Sequence, residues 1–131
     1  MKSDPKECLY CQNNETLHNL MIEIAQLSVS RVFLFKEQTY RGRCLVAYKD
    51  HVNDLNELSD EDRNAFMADV ARVTRAMQKA FQPEKINYGA YSDKLSHLHF
   101  HLAPKYVDGP DYGGVFQMNP GKVYLMLNIR S

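Results

Sequence analysis

The chain has 131 residues, 16 acidic and 16 basic side chains and an apolar share of 44%. That size and apolar content suit one packed domain over residues 1–131, and the balanced charge excludes the broad positive field that binds nucleic acid polymers by releasing counterions. No apolar run approaches the ~20 residues that span a bilayer, and residues 1–5 lack the apolar stretch of a secretory leader, so the expected setting is the cytoplasm.

Along the chain, Cys8-Leu9-Tyr10-Cys11 comes first and holds two of the three cysteines, at a spacing that suits a metal or redox pair better than a disulfide framework. Residues 20–26 and 29–35 are apolar stretches that predict two tightly joined strands, with a helix over 16–27 as the alternative. Gly42 punctuates the chain ahead of a third short strand over 44–48, in which Cys44 reads as an inert core thiol. His51 falls just past the end of that strand. The clearest helix opens at Ser59, which forms a cap-like pair with Asp62. Asp60 and Glu61 complement the dipole of that helix, and Phe66, Val70, Val73 and Met77 recur at helical spacing as a face that packs on a sheet, until Pro83 stops it. A fourth strand is predicted over 87–92, a loop at Asp93-Lys94, and a fifth strand over 97–103 ended by Pro104. Turns at Asp108-Gly109-Pro110 and Gly113-Gly114 lead to a β-prone run over 123–127. That last run could pair as an edge strand, complete a pocket across a dimer, or form a loose tail within an unassigned stretch over 115–131.

Three of the five histidines fall in His97-Leu98-His99-Phe100-His101. In an extended chain alternate side chains share a face, so the imidazoles point one way, spaced ~6.5–7 Å at the backbone, while Leu98, Phe100 and Leu102 point the other way and anchor the strand. Burying three imidazoles without partners is costly, so they need a metal, a phosphate or each other. Solvent-facing or internally satisfied histidines are the plain alternative. A metal-dependent hydrolase is another, but it requires further ligands with an open coordination position, and no acidic pair stands out to supply them.

The run His97-Leu98-His99-Phe100-His101-Leu102-Ala103-Pro104 resembles the His-x-His-x-His-x-x signature of the histidine triad (HIT) superfamily, with x apolar. Further landmarks resemble the family in the family's order over residues 8–114: the cysteine pair, Gly42-Arg43-Cys44-Leu45-Val46-Ala47-Tyr48-Lys49-Asp50-His51, Leu58-Ser59-Asp60-Glu61 and Tyr112-Gly113-Gly114. The resemblance implies an α+β domain with an antiparallel sheet of about five strands packed with one long helix, commonly paired as a homodimer. It also implies cleavage of nucleotides at phosphorus, on phosphoramidates, dinucleoside polyphosphates or in nucleotidyl transfer. His99 matches the nucleophile that forms a nucleotidyl-histidine intermediate, and His101 matches a histidine that contacts the phosphoryl oxygens. Imidazole chemistry suits those roles, because histidine offers a neutral lone pair near physiological pH. The other ring nitrogen of His99 is expected to donate to a carbonyl, fixing its tautomer, and His101 to stabilise charge on the equatorial oxygens.

In zinc-containing relatives a similar cysteine pair joins a mid-chain histidine and the first histidine of the triad, and Cys8, Cys11, His51 and His97 match those positions one by one. Four protein ligands would close the coordination sphere, so the implied zinc is structural. His18 has no role and is expected at the surface.

Three positions depart from the family. Many members carry a histidine after the glycine that matches Gly42, where this chain has Arg43, expected to hold an anionic substrate and unable to carry protons. Four residues before His97 a glutamine or asparagine is usual, and here Asp93 stands as either a positioning group or a plain loop residue. The position that often holds the ribose falls on Phe35, so a nucleoside contact would have to come from Lys36, Glu37 or Gln38 through a shifted loop. Two readings follow besides the phosphorus-directed enzyme: a zinc-stabilised nucleotide- or phosphate-binding protein with little turnover, and a protein-interaction module whose dimer surface is its main product.

Overall fold

The computed structural model describes residues 5–91, 93 and 96–125. A short helix α1 (Leu9–Gln12) is capped by the Cys8 sulfur, which accepts from the Cys11 amide, and α2 (Glu15–Leu20) is capped by Asn14, whose side chain accepts from the Thr16 amide at 3.1 Å. The chain turns extended at Met21, so the helical alternative over 16–27 holds only as far as Leu20 and the strand reading holds beyond it. Strands β1 (Met21–Gln26) and β2 (Ser30–Phe35) form the tight antiparallel pair, and β3 (Cys44–Tyr48) follows, buried along its whole length. Gly42 enters β3 with φ +88°, and a Cβ there would lie 2.6 Å from the Phe81 ring. Only glycine tolerates both conditions.

The long helix α3 (Asp60–Phe81) begins as its sequence indicates. The Ser59 hydroxyl accepts from the Asp62 amide at 3.1 Å, three acids occupy the first turn, and Gln82 adopts a left-handed conformation just before Pro83. Its stripe of Phe66, Val70, Val73 and Met77 packs on Val32, Cys44, Val46, Leu98 and Leu102. Asp69 lies on the same buried side. It accepts from the Ser28 hydroxyl at 3.0 Å, the Val29 amide at 3.0 Å and the Ser30 hydroxyl at 2.7 Å, and so fastens the β1–β2 turn to the helix.

The sheet order is β1-β2-β3-β5-β4, antiparallel throughout. The fold is therefore the α+β arrangement of five strands and one long helix that the sequence implies. Two strands differ from the sequence-based bounds: β4 is Lys85–Gly89 rather than 87–92, and β5 is His99–Lys105 rather than 97–103. Pro104 lies inside β5, opposite Ile86, instead of ending the strand. The Leu98 carbonyl accepts from Tyr48 beside β3 and the Lys105 carbonyl accepts from Glu84 beside β4, so even-numbered residues of this strand turn their backbone groups toward β3. The β3 ladder ends at the Cys44–Leu102 pair, and the proline therefore removes no ladder bond. Residues 123–125 pair beside the β2–β3 loop, with Gln38 donating to the Val123 carbonyl and Leu125 to the Lys36 carbonyl. The rest of the 123–127 run, and Lys94 and Ser92, lie outside the described residues. Among the described residues no helix is long and apolar enough to cross a membrane.

Alternation on the central strands divides the interior in two. Cys44, Val46 and Tyr48 face α3, whereas Leu45 and Ala47 face the amino-terminal segment with Phe33, Phe35, Tyr10 and Leu17. Burial pushes the Cys44 thiol up to about 12, in keeping with an inert core position. His18 is at the surface, where Nε2 meets the Asn13 side chain at 3.2 Å.

Candidate active site and metal centre

The strand geometry puts the odd-numbered histidines on the sheet face opposite α3, beneath α1. His97, His99 and His101 are only 3%, 3% and 7% exposed. Tyr10, which lies between the two cysteines, rests its ring on His97 and His99 at centroid separations of 5.3 and 5.2 Å, and the His99 and His101 rings lie 5.0 Å apart. Arg31 holds this lid down by donating to the Tyr10 carbonyl at 2.8 Å while it pairs with Glu23.

Each imidazole has a partner that fixes its tautomer. His97 Nε2 lies 2.7 Å from the Tyr48 carbonyl, which can only accept, so Nε2 carries the proton and the Nδ1 lone pair faces Cys8 Sγ at 3.2 Å and Cys11 Sγ at 3.5 Å. The reverse arrangement holds at His99, where Nδ1 donates to the His97 carbonyl at 2.7 Å and leaves Nε2 with its lone pair. At His101 the partner of Nδ1 is the Arg43 guanidinium, with Nη2 at 3.0 Å. A guanidinium only donates, so Nδ1 accepts and the proton sits on Nε2. Burial lowers the pKa of His99, and burial with the neighbouring His99 and Arg43 charges lowers that of His101 to about 3, which keeps both rings neutral at physiological pH.

The four residues matched to a zinc site come together from three parts of the chain. Ligand atoms of Cys8, Cys11, His51 and His97 all lie within 4.8 Å of one another, and Cys11 Sγ is 3.3 Å from His51 Nδ1. A tetrahedral zinc with bonds of ~2.0–2.3 Å needs ligand atoms roughly 3.3–3.8 Å apart, so two soft sulfurs and two imidazole nitrogens are placed to hold one.

Arg43 occupies a position that differs from a solvent-facing anion clamp. It is fully buried. Nη1 donates to the Gln117 carbonyl at 3.1 Å, and the guanidinium carbon stands 4.5 Å from the Phe35 ring centre and 5.1 Å from that of Phe116. Its contact is with His101, one layer behind any group that the histidine touches. Burial lowers its pKa to about 10, which leaves it charged at neutral pH. Asp93 is exposed in the β4–β5 loop, and no hydrogen bond links it to the buried triad among the described residues. Phe35 packs edge-on to His101 at 6.3 Å. Two of the three shifted-loop substitutes for a ribose contact, Glu37 and Gln38, are engaged elsewhere. The Glu37 carboxylate accepts from Thr39, Lys122 and Val123, while Gln38 donates to the Phe35 carbonyl and accepts from Gly42.

The sequence reading did not include Tyr10, Tyr40, Phe116 or Lys105. Lys105 Nζ donates to the Asp111 and Gly114 carbonyls at 2.8 and 2.6 Å, and the Tyr40 hydroxyl donates to the Asp111 carboxylate and accepts from the Gln117 amide, which together fold residues 111–117 against Arg43. The Cys-x-Tyr-Cys spacing was the only local hint of any of these. A cleft of about 450 Å³ opens beside the candidate metal ligands, lined by Tyr10, Arg31, Lys49, His51 and His97 among others, and a smaller one of about 350 Å³ is lined by Tyr88, Tyr91, Val115 and Phe116. Neither is lined by His99 or His101.

A family model described as the HIT domain matches residues 14–108. The chain belongs to the HIT family. Among curated proteins this HIT chain is 32% identical over 89 residues to adenosine 5'-monophosphoramidase hnt1 of Schizosaccharomyces pombe, covering 64% of each chain, and it spans a little under two thirds of the length of the curated relatives it matches. Among solved structures it is similar to a histidine triad protein of Sinorhizobium meliloti, with a TM-score of 0.79, 20% identity and coverage of 88% and 85%. It is also similar to a Zn-bound histidine triad family protein of Mycobacterium smegmatis, with a TM-score of 0.67, 21% identity and coverage of 89% and 86%. At those identities the structural likenesses establish the HIT fold.

Proposed function

We propose that this HIT chain hydrolyses nucleotides, or transfers nucleotidyl groups, by attack of His99 on phosphorus. The observation that carries the reading is the hydrogen bond from His99 Nδ1 to the His97 carbonyl, which leaves Nε2 as a lone-pair donor beside the protonated Nε2 of His101. In the first step His99 Nε2 forms an N–P bond while the bond from phosphorus to the leaving group breaks, and the leaving group departs with that electron pair and gains a proton. Water then bonds to the phosphorus and gives up a proton. The N–P bond breaks, its electrons return to Nε2, and a nucleoside monophosphate is released. His101 donates to a phosphoryl oxygen as charge builds there. The name of the fission-yeast relative supports a phosphoramidate substrate, and a dinucleoside polyphosphate is the alternative of the same class.

We also propose that Cys8, Cys11, His51 and His97 hold one structural zinc, which would crosslink the amino-terminal segment to the triad strand, and that two chains pair as a homodimer. Native mass spectrometry should give two chains carrying two zinc ions.

A second reading has an observation in its favour. His99 and His101 are nearly enclosed, and Phe35 stands where a ribose contact is usual, as in a zinc-stabilised nucleotide- or phosphate-binding protein with little turnover. A panel of adenosine and guanosine phosphoramidates and dinucleoside polyphosphates separates the two. The hydrolase reading expects turnover by the native chain, loss of at least about 10³-fold in His99→Ala and His99→Asn, and labelled nucleotide trapped on His99. Binding without turnover or adduct would establish the second reading instead.

A further inference from the structure

We propose that Arg43 is a positioning residue that locks His101 in the tautomer protonated on Nε2, making His101 a permanent hydrogen-bond donor to the phosphoryl group. The catalytic half of this proposal rests on the phosphorus-directed reading above, and the tautomer half stands without it.

The geometry is specific. Arg43 has no exposed surface, and its Nη2 meets His101 Nδ1 at 3.0 Å across 58 residues of sequence. The ion pairs among the described residues join Arg31 to Glu23 and Arg63 to Asp60, so no carboxylate pairs with the buried guanidinium. It is held instead by the Gln117 carbonyl, by His101, by the Met118 sulfur and by the faces of Phe35 and Phe116, and its Nε has no hydrogen-bond partner among the described residues. A buried cation with one donor unpartnered and no direct ion pair, favoured only by the more distant charge of Glu37, is an expensive way to fill space, since an apolar side chain of similar volume would avoid that desolvation. The arrangement makes sense where the cation has a task at His101.

That task follows from donor chemistry. A histidine beside Nδ1 of His101 could either donate or accept, so a pair of imidazoles would exchange tautomers and His101 would present Nε2 with or without its proton. Arginine offers donors only and keeps its proton throughout the working pH range. Nδ1 of His101 is therefore always the acceptor, and Nε2–H always faces outward from the Arg43 contact. Ring contacts with Phe35 and Phe116 at 4.5 and 5.1 Å hold the guanidinium in place, and the His101 ring lies edge-on to Phe35. Residue 43 thus acts through the histidine rather than on the substrate.

The test is two-bond ¹⁵N–¹H correlation on histidine-labelled, unliganded protein, with the His101 signals assigned by their loss in His101→Gln, followed by steady-state kinetics of Arg43→Met and Arg43→Lys. In the native chain His101 should show one neutral tautomer, with the proton on Nε2. Arg43→Met should release it into a mixture and lower kcat about 10- to 100-fold, with KM within about threefold. Arg43→Lys, which keeps a donor, should restore the native His101 signature and most of kcat. A native His101 protonated on Nδ1 would overturn the proposal. So would an Arg43→Met protein whose His101 spectrum or kcat is native, or a loss in both variants that falls on KM, since that marks direct substrate binding. Should Arg43→Met fail to fold, the native spectrum and Arg43→Lys decide. A native chain with the expected spectrum but no turnover would sink the hydrolase reading and leave the Arg43–His101 coupling standing.

Discussion

At His101, burial, the His99 ring and the Arg43 guanidinium act in one direction and push the imidazole pKa down to about 3 from an unfolded value near ~6.5. Between those values the unfolded chain binds a proton that the folded chain refuses. The stability that His101 contributes is therefore complete above about pH 6.5 and is lost as pH falls toward 3, at up to about 1.4 kcal/mol per pH unit. His97 and His99 are depressed in the same direction, so urea denaturation from pH 7.5 to pH 4.5 should show a slope at least that steep, and His101→Gln should show a shallower one. Equal slopes would mean that His101 titrates normally in the folded chain. The shared face of the three histidines was legible in the sequence, because the two-residue period of a strand fixes it. The partner of each ring was not, since Tyr48, Arg43 and the Cys8–Cys11 pair reach the triad only through the sheet and the amino-terminal segment.

The element with the most readable ends is α3, because its signals are local: a capping serine, acids in the first turn and a proline after the last. Its apolar stripe was legible for the same reason, but Asp69 on the buried side was not. Its acceptors are filled by Ser28, Val29 and Ser30, about 40 positions away in sequence. Replacing that carboxylate strands the buried Ser30 hydroxyl and the half-buried Val29 amide, while the exposed Ser28 hydroxyl can turn to water. Asp69→Ala should therefore destabilise the fold by about 3 kcal/mol, and Asp69→Asn, which retains one oxygen, by roughly half as much. Chemical denaturation midpoints read both, and a loss below about 1 kcal/mol in Asp69→Ala would show that the β1–β2 turn is held by its own ladder. Strand bounds shifted for a related reason. Pro104 ends a strand only where its missing amide is needed, and that depends on how far β3 runs alongside.

For the whole molecule, the amino-terminal segment is both a cover over the histidines and the source of two of the four candidate metal ligands, Cys8 and Cys11. It meets the sheet through Cys8, Leu9, Tyr10 and Leu17, and Arg31 of β2 donates to its Tyr10 carbonyl and Asn13 side chain. A zinc bound only in the folded state adds its binding free energy to folding. Stripping the metal with a strong chelator should lower Tm by about 10 °C. Cys8→Ser should start from a similarly lowered Tm and respond no further to chelator. An unchanged Tm in native protein shown to contain zinc would place the stability of the lid in its apolar contacts alone.

By itself the sequence determined the long helix and the triad with its common face, and the resemblance to the histidine triad family supplied the grouping of Cys8, Cys11, His51 and His97 as candidate ligands. The helix and the triad face are properties of local period, of capping chemistry and of a motif whose spacing is short. Only the tertiary structure decided the hydrogen-bond partners of the triad, the burial of Arg43 against His101, and the engagement of Glu37 and Gln38 with their neighbours in the β2–β3 loop and the carboxy-terminal segment. A hydrogen bond between groups tens of residues apart has no local period to betray it, and which of two donors or acceptors wins a buried partner is settled by burial and angle when the elements pack.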